Sequence, residues 1–228
     1  MSDRTSQPWK GLTPHPDFRV LFVRHAESQI NIIPELEIPR HALPPDNGVT
    51  YPLTPRGMQQ ARVLGEKLAD LDLAAIYSST RTRCIQTATA IALPHRQSLV
   101  LAEEIVEIAF TDPDASMGMI EENDVRAVMG RWASGDIDAA PPGGESLAQV
   151  FHRFLPWSYQ TIGHHAAAPG TLVIVAHGGV LAAGLTQLFS NISPAFALGH
   201  LFENTETAAG EFIDGQLVCV DWHGIAPG

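Results

Sequence analysis

Residues 20–26 read VLFVRHA and residues 172–178 read LVIVAHG. Each is an unbroken apolar run, rich in β-branched residues, that halts at a histidine. A strand with one wet face alternates apolar and polar side chains, and neither run does. Both therefore need cover on two faces, as in parallel strands sandwiched between helices. Two such strands in one chain demand a layered α/β core.

The rest of the chain fits that demand. Phe18–Val23 is predicted as the first strand. Thr54-Pro55 starts a helix, with Thr as N-cap, Pro at the first helical position, and Ala61, Leu64, Leu68 and Leu71 along one face. Ala74–Ser79 is a second strand, Thr80–Leu93 a helical stretch, and Leu99–Ile108 a region of short strands. A helix is predicted over 121–133. Another spans Glu145–Ile162, where Pro156 should kink or shorten it. Leu172–Ala176 is a buried strand that turns through His-Gly-Gly into the helix 180–189. Glu211–Ile213 and Gln216–Asp221 form a terminal hairpin around Asp214-Gly215.

Strands alternating with helices predict an α/β fold, a three-layer sandwich whose mostly parallel central sheet is flanked by helices. Residues 1–17 read as a disordered or extended tail and 18–228 as a single domain. Two segments interrupt it. Residues 32–52 hold five prolines and no period, and residues 109–144 mix acidic and small residues; both are expected as insertions forming a cap over the site.

Ligands of open α/β sheets sit beyond the carboxyl ends of the strands. There the first strand delivers Arg24 and His25, the second Ser78, Ser79, Arg81 and Arg83, and the later one His177, Gly178 and Gly179. Taken singly, these read as packed histidines, a solvated arginine face and ordinary turn glycines. Taken together they crowd positive charge at one edge, which a bound anion relieves. Guanidinium forks match phosphate oxygens, and the N–H groups of a helix starting at Gly178 favour an anion too.

Composition narrows the partners. The formal net charge is −11 and only Lys10 and Lys67 are lysines, which argues against nucleic acid or an anionic membrane as partner. The longest apolar-leaning stretch, 171–185, is too short to span a bilayer. Residues 1–17 lack the apolar core of a signal peptide, and two cysteines, Cys84 and Cys219, make no disulfide framework. A cytoplasmic location is expected. No paired-histidine spacing suggests a metal site, and His164-His165 reads as a helix end.

LFVRHAESQIN (21–31) resembles the R-H-G-E-S-x-x-N signature of the histidine phosphatase superfamily, the phosphoglycerate mutase-like proteins. The likeness continues in order through PLTPRGMQQA (52–61), SSTRTRCIQTA (78–88), a glutamate at 107, GGES (143–146), VIVAHGG (173–179) and NTETAAGEF (204–212). It implies that His25 is the phosphoryl-accepting nucleophile, that Arg24, Asn31, Arg83 and His177 hold the phosphate, and that Glu107 protonates the leaving group. Arg81 becomes a peripheral neighbour. The implied activity is metal-independent hydrolysis of a small phosphorylated substrate through a phosphohistidine, with no cofactor. Phosphoryl transfer of the cofactor-dependent mutase type and an inactive phosphate-binding relative are the alternatives.

Three departures stand out. Ala26 replaces the glycine after the nucleophile, which the backbone tolerates if its φ is negative. FTDPDASMG (110–118) replaces the G-x-W-E-G stretch after the acid, leaving Glu103, Glu104 and Asp112 as rivals to Glu107. The 32–52 segment is longer than the pattern needs, and Arg40 and His41 on it could touch substrate. Oligomeric state is open, a homodimer included.

Overall fold

The computed structural model of the chain describes residues 9–32, 51–110 and 122–227. Residues 33–50 of the first insertion and 111–121 of the second, with Arg40, His41 and Asp112, lie outside those residues, as does the expectation that the insertions cap the site.

A six-stranded sheet forms the middle layer. Its strands are β1 (Phe18–Arg24), β2 (Leu73–Ser79), β3 (Leu99–Ala102), β4 (Gly170–Ala176), β5 (Thr207–Ile213) and β6 (Gln216–Trp222), in the spatial order β3-β2-β4-β1-β5-β6. The first four in that order run parallel; β5 and β6 add an antiparallel hairpin. The two histidine-ended strands are neighbours, Arg24 facing Ala176 across the ladder. The α/β, mostly parallel sheet expected from the sequence is the one found.

The helices are α1 (Pro55–Lys67), α2 (Thr82–His95), α3 (Glu122–Ala133), α4 (Leu147–His165), α5 (Gly178–Leu188) and α6 (Pro194–Gly199). Successive side chains of a strand point to opposite faces, and the core divides accordingly. Val20, Phe22, Leu172 and Ile174 pack with Val150 and Phe154 of α4 and Val180 and Leu181 of α5. Val23, Ile76, Val173 and Val175 pack with Leu64 of α1 and Cys84, Ala88 and Ile91 of α2. All seven residues of β4 are buried. That double cover is why its sequence shows no alternation.

Local signals act where they stand. Thr54 caps α1 by accepting from the Gly57 N–H at 3.0 Å. The Asp214-Gly215 turn has φ of 51° and 75°, the doubly left-handed geometry of a tight hairpin. His164 and His165 do end a helix.

Four elements differ from expectation. Helix α4 runs through Pro156 to His165. An interior proline costs about 3 kcal/mol, but Val150, Phe154 and Ile162 are buried on that helix, and such side chains contribute roughly 1.5–3 kcal/mol each. Trp9 lies in the stretch read as tail, yet it is buried and stands edge-on to Tyr159 and Phe212, with ring centroids 5.3 and 5.1 Å away. Region 99–108 holds the single strand β3 and one 3-10 turn, Glu103–Ile105. Strand β5 begins at Thr207 and α6 follows a Ser193 cap. Both were hidden by alanine and glycine, which carry little strand signal, and by the shortness of α6. Among the described residues, no helix is long and apolar enough to cross a membrane.

Candidate active site

The two buried strands stop side by side, so the groups that follow them meet. His25 is 3% exposed and His177 fully buried. Their rings stand edge-on with centroids 5.2 Å apart. Arg83, in the first turn of α2, is also 3% exposed and donates from Nε to His25 Nε2 at 3.3 Å. Positions 25, 83 and 177 therefore enclose one small volume.

His25 is held by its neighbours' backbones. Its Nδ1 lies 2.7 Å from the Ala26 carbonyl. A carbonyl can only accept, so Nδ1 carries the proton and Nε2 keeps the lone pair. The Asn204 side chain donates to the His25 carbonyl at 3.0 Å, and the Ala26 N–H donates to Thr87 Oγ1 at 3.0 Å. Thr87 Oγ1 donates in turn to the Arg83 carbonyl at 2.7 Å. One hydroxyl thus ties the end of the His25 strand to the helix that carries Arg83. Ala26 is not among the described residues with positive φ, so its Cβ costs nothing.

Electrostatics set the protonation. Burial, then the Arg83 charge, then Arg24, push the His25 imidazole down to about 3, against a rise from its bond to the Ala26 carbonyl. His177 is pushed well below the usual histidine range by burial and by Arg83, His25, Arg81 and Arg153. Both rings are neutral at neutral pH. A free imidazole would be only half-neutral near pH 6.5; the pocket removes that limit.

Arg24 donates through Nη1 to the Phe202 carbonyl. Its buried Nε has no hydrogen-bond partner among the described residues. A buried unpaired donor on a cation is costly, and an oxyanion would satisfy it. Asn31 Oδ1 accepts from Ser28 N at 2.9 Å, Ser28 Oγ at 3.0 Å and Asn204 Nδ2 at 3.4 Å. Those bonds fix the orientation of the amide.

The sequence marks the N–H groups of the helix start at Gly178 as an anion site, and Glu107 of this chain occupies two of them: Gly179 N donates to Oε2 at 3.0 Å and Val180 N to Oε1 at 2.8 Å. The glycine pair makes this possible. A Cβ on Gly179 would lie 2.7 Å from Glu107 Oε1, and one on Gly178 would lie 3.2 Å from Arg24 Nε. Carboxylate and guanidinium therefore flank the same turn. The rivals Glu103 and Glu104 are exposed on the 3-10 turn.

The sequence places Ser79 at the strand end without a partner and gives Cys84 no part in the site. Ser79 Oγ stands 2.9 Å from His177 Nε2, with Cys84 Sγ at 3.4 Å from the same nitrogen. Thr87 and Asn204 fell inside quoted motifs without a role. Glu27, within the R-H-x-E motif, serves α1 instead: its carboxylate accepts from Thr54 Oγ1 at 2.6 Å and lies 3.2 Å from Arg56 Nη1.

Known proteins share this architecture. The chain is 30% identical over 162 residues to phosphoserine phosphatase 1 of Hydrogenobacter thermophilus, covering 70% of each chain. It is 29% identical over 150 residues to a 2,3-bisphosphoglycerate-dependent phosphoglycerate mutase of Azorhizobium caulinodans, covering 62% of this chain and 71% of that one. The fold superposes on the alpha-ribazole phosphatase of Shigella flexneri with a TM-score of 0.68 at 20% identity, covering 92% and 98% of the two chains. The profile of the histidine phosphatase superfamily (branch 1) matches residues 20–224. With that match running from the first buried strand to the end of the sheet, the chain belongs to the histidine phosphatase superfamily.

Proposed function

We propose that the protein is a phosphomonoester hydrolase that works through a phosphohistidine on His25 and acts on a small phosphorylated substrate. The observation that carries this reading is the state of His25: Nδ1–H is fixed on a backbone carbonyl and Nε2 is neutral, buried and beside two guanidinium groups.

In the first step the Nε2 lone pair attacks phosphorus while the P–O bond to the leaving group breaks. Charge spreads over the equatorial oxygens, where Arg24, Arg83, Asn31, His177 and the Gly178 N–H supply donors. Glu107 passes its proton to the departing oxygen. In the second step the Glu107 carboxylate takes a proton from water, whose oxygen attacks phosphorus and returns Nε2 with its lone pair. The positive charge comes from side chains, so the scheme calls for no metal.

The relative named as a phosphoserine phosphatase covers 70% of this chain and the mutase 62%, which supports hydrolysis. So does region 109–144, which holds only Arg126 and Arg131 as cations, Arg131 being paired with Asp136 at 2.5 Å. Mutase chemistry handles a second phosphate and calls for more. Two buried cysteines that share no disulfide suit a reducing compartment, and we place the protein in the cytoplasm.

The test is phosphate release from an aryl phosphate without any bisphosphorylated primer, with acid-quenched protein analysed for phosphohistidine by mass spectrometry. Free phosphate and a label on His25 are expected. Phosphate that appears only as transferred ester would overturn hydrolysis, and turnover unchanged in His25→Ala would overturn the site.

A further inference from the structure

Glu107 sits on a segment that belongs to neither sheet nor helix. Residues 106–109 follow the 3-10 turn Glu103–Ile105 and have no strand ladder to hold them. An irregular segment normally leaves a side chain several positions, and proton delivery tolerates little misplacement. The α5 amides hold the carboxyl end of Glu107, but the backbone beneath it needs a hold of its own.

What fixes it is an ion pair from α4. Arg153 donates from Nε to Glu145 Oε1 at 2.8 Å and from Nη2 to Glu145 Oε2 at 2.9 Å, a two-pronged bridge. The rest of the guanidinium faces the donor segment. Nη1 donates to the Glu104 carbonyl at 2.7 Å and the Val106 carbonyl at 3.0 Å, and Nη2 to the Glu107 carbonyl at 3.3 Å. Glu145 closes the far side: Oε2 accepts from the Ala109 N–H at 3.0 Å, and its own N–H donates to the Ala109 carbonyl at 2.7 Å. The backbone is thus gripped before, at and after residue 107. Gly144 lets the grip close, because a Cβ there would lie 2.5 Å from the Ala109 carbonyl oxygen.

The pair is also well sheltered, with side chains 18% and 23% exposed. Half-burial alone would push the Glu145 carboxyl up, but the Arg153 and Ala109 hydrogen bonds hold it below the usual range. It stays a carboxylate, and the bridge stays intact, across the working pH.

We infer that Arg153 and Glu145 are positioning residues for proton delivery: together they clamp residues 104–109 so that the Glu107 carboxyl meets the leaving oxygen. This rests on the reading of Glu107 as proton donor. A good leaving group departs without a proton and a poor one does not, so in the phosphorylation step the clamp matters to one substrate and hardly to the other, whereas the later attack of water is common to both.

The experiment compares kcat/KM, which reads only the steps up to departure of the leaving group, on p-nitrophenyl phosphate and on an alkyl phosphate, glycerol 2-phosphate, for wild type, Glu107→Gln, Arg153→Met and Glu145→Gln. The ratio of the two rates in one sample cancels any loss of folded protein. Glu107→Gln is expected to lower the alkyl rate about 100-fold or more relative to the aryl rate, the usual scale of general acid catalysis. Arg153→Met and Glu145→Gln should lower the same ratio about 10-fold or more, with KM little changed. If Glu107→Gln leaves the ratio unchanged, the donor assignment fails and the clamp with it. If Glu107→Gln moves the ratio and both clamp variants leave it at the wild-type value, the clamp alone is overturned.

Discussion

Strands β1 and β4 are near twins in sequence: both are continuous apolar runs, both end in histidine, and they lie side by side. Their histidines nevertheless occupy opposite situations. His25 gives its Nδ1 proton to a carbonyl and turns Nε2 toward Arg83. His177 has Nε2 beside the Ser79 hydroxyl and the Cys84 thiol, at 2.9 and 3.4 Å. Beyond the strand, β1 runs into a loop whose backbone is pinned by Thr87 and Asn204, whereas β4 turns at once into α5, with His177 as its N-cap. One imidazole has its tautomer set by a backbone carbonyl and the other is held among side chains. Local pattern made them alike; partners from α2, β2 and the 202–205 loop made them different.

The comparison breaks most sharply at the first histidine. His25→Ala should reduce turnover by at least about 10⁴-fold, the scale on which loss of a nucleophile is felt, and should abolish any phosphohistidine signal while the thermal transition survives. His177→Ala should cost less, about 10²–10³-fold in kcat, as for a lost stabilising donor, and should still permit a phosphohistidine on His25. Label that disappears in His177→Ala but persists in His25→Ala would exchange the two roles.

Acid sharpens the common property. The folded His25 titrates near 3 and an unfolded histidine near 6.5. Between those values the unfolded chain binds more protons, so stability falls as pH drops from about 6.5 toward 3. His177 shifts in the same direction and adds to the loss. We expect an apparent decrease on the order of a few kcal/mol across that window, read as a falling urea midpoint. Vanadate or phosphate should oppose it, because an anion between the rings favours their protonated forms. A flat profile from pH 7 to 4 would contradict the neutral, buried pair.

The smallest effect concerns the hydroxyl that distinguishes the second ring. Ser79→Ala should cost about 1 kcal/mol, the usual worth of one hydrogen bond, seen as a several-fold drop in kcat/KM with the His25 label unaffected. No change in either rate constant would show that Ser79 does not orient His177.

Much of the site was legible because its parts sit at the ends of unmistakable strands. Val20–Val23 and Leu172–Ala176 announce themselves through composition alone, and Arg24, His25, His177 and the glycine pair follow by position. The Thr54-Pro55 cap and the Asp214-Gly215 turn are equally local, and both stand where expected. Arg83 was found by motif, not by any property of the α2 face.

What escaped has no local signature. Trp9 gains its meaning from Tyr159 and Phe212, both far along the chain, and Pro156 is carried by a helix whose burial outweighs the lost hydrogen bond. Amino-acid order by itself determined the layers, the strand ends and the residue types gathered at them, since periodicity and caps are short-range effects. Only tertiary structure decided that Glu107 would take the α5 amides, that Arg153 and Glu145 would hold its segment, and that one histidine would turn its unprotonated nitrogen toward Arg83. Those outcomes depend on desolvation and on donors contributed from distant parts of the chain, and neither is encoded within any single stretch of residues.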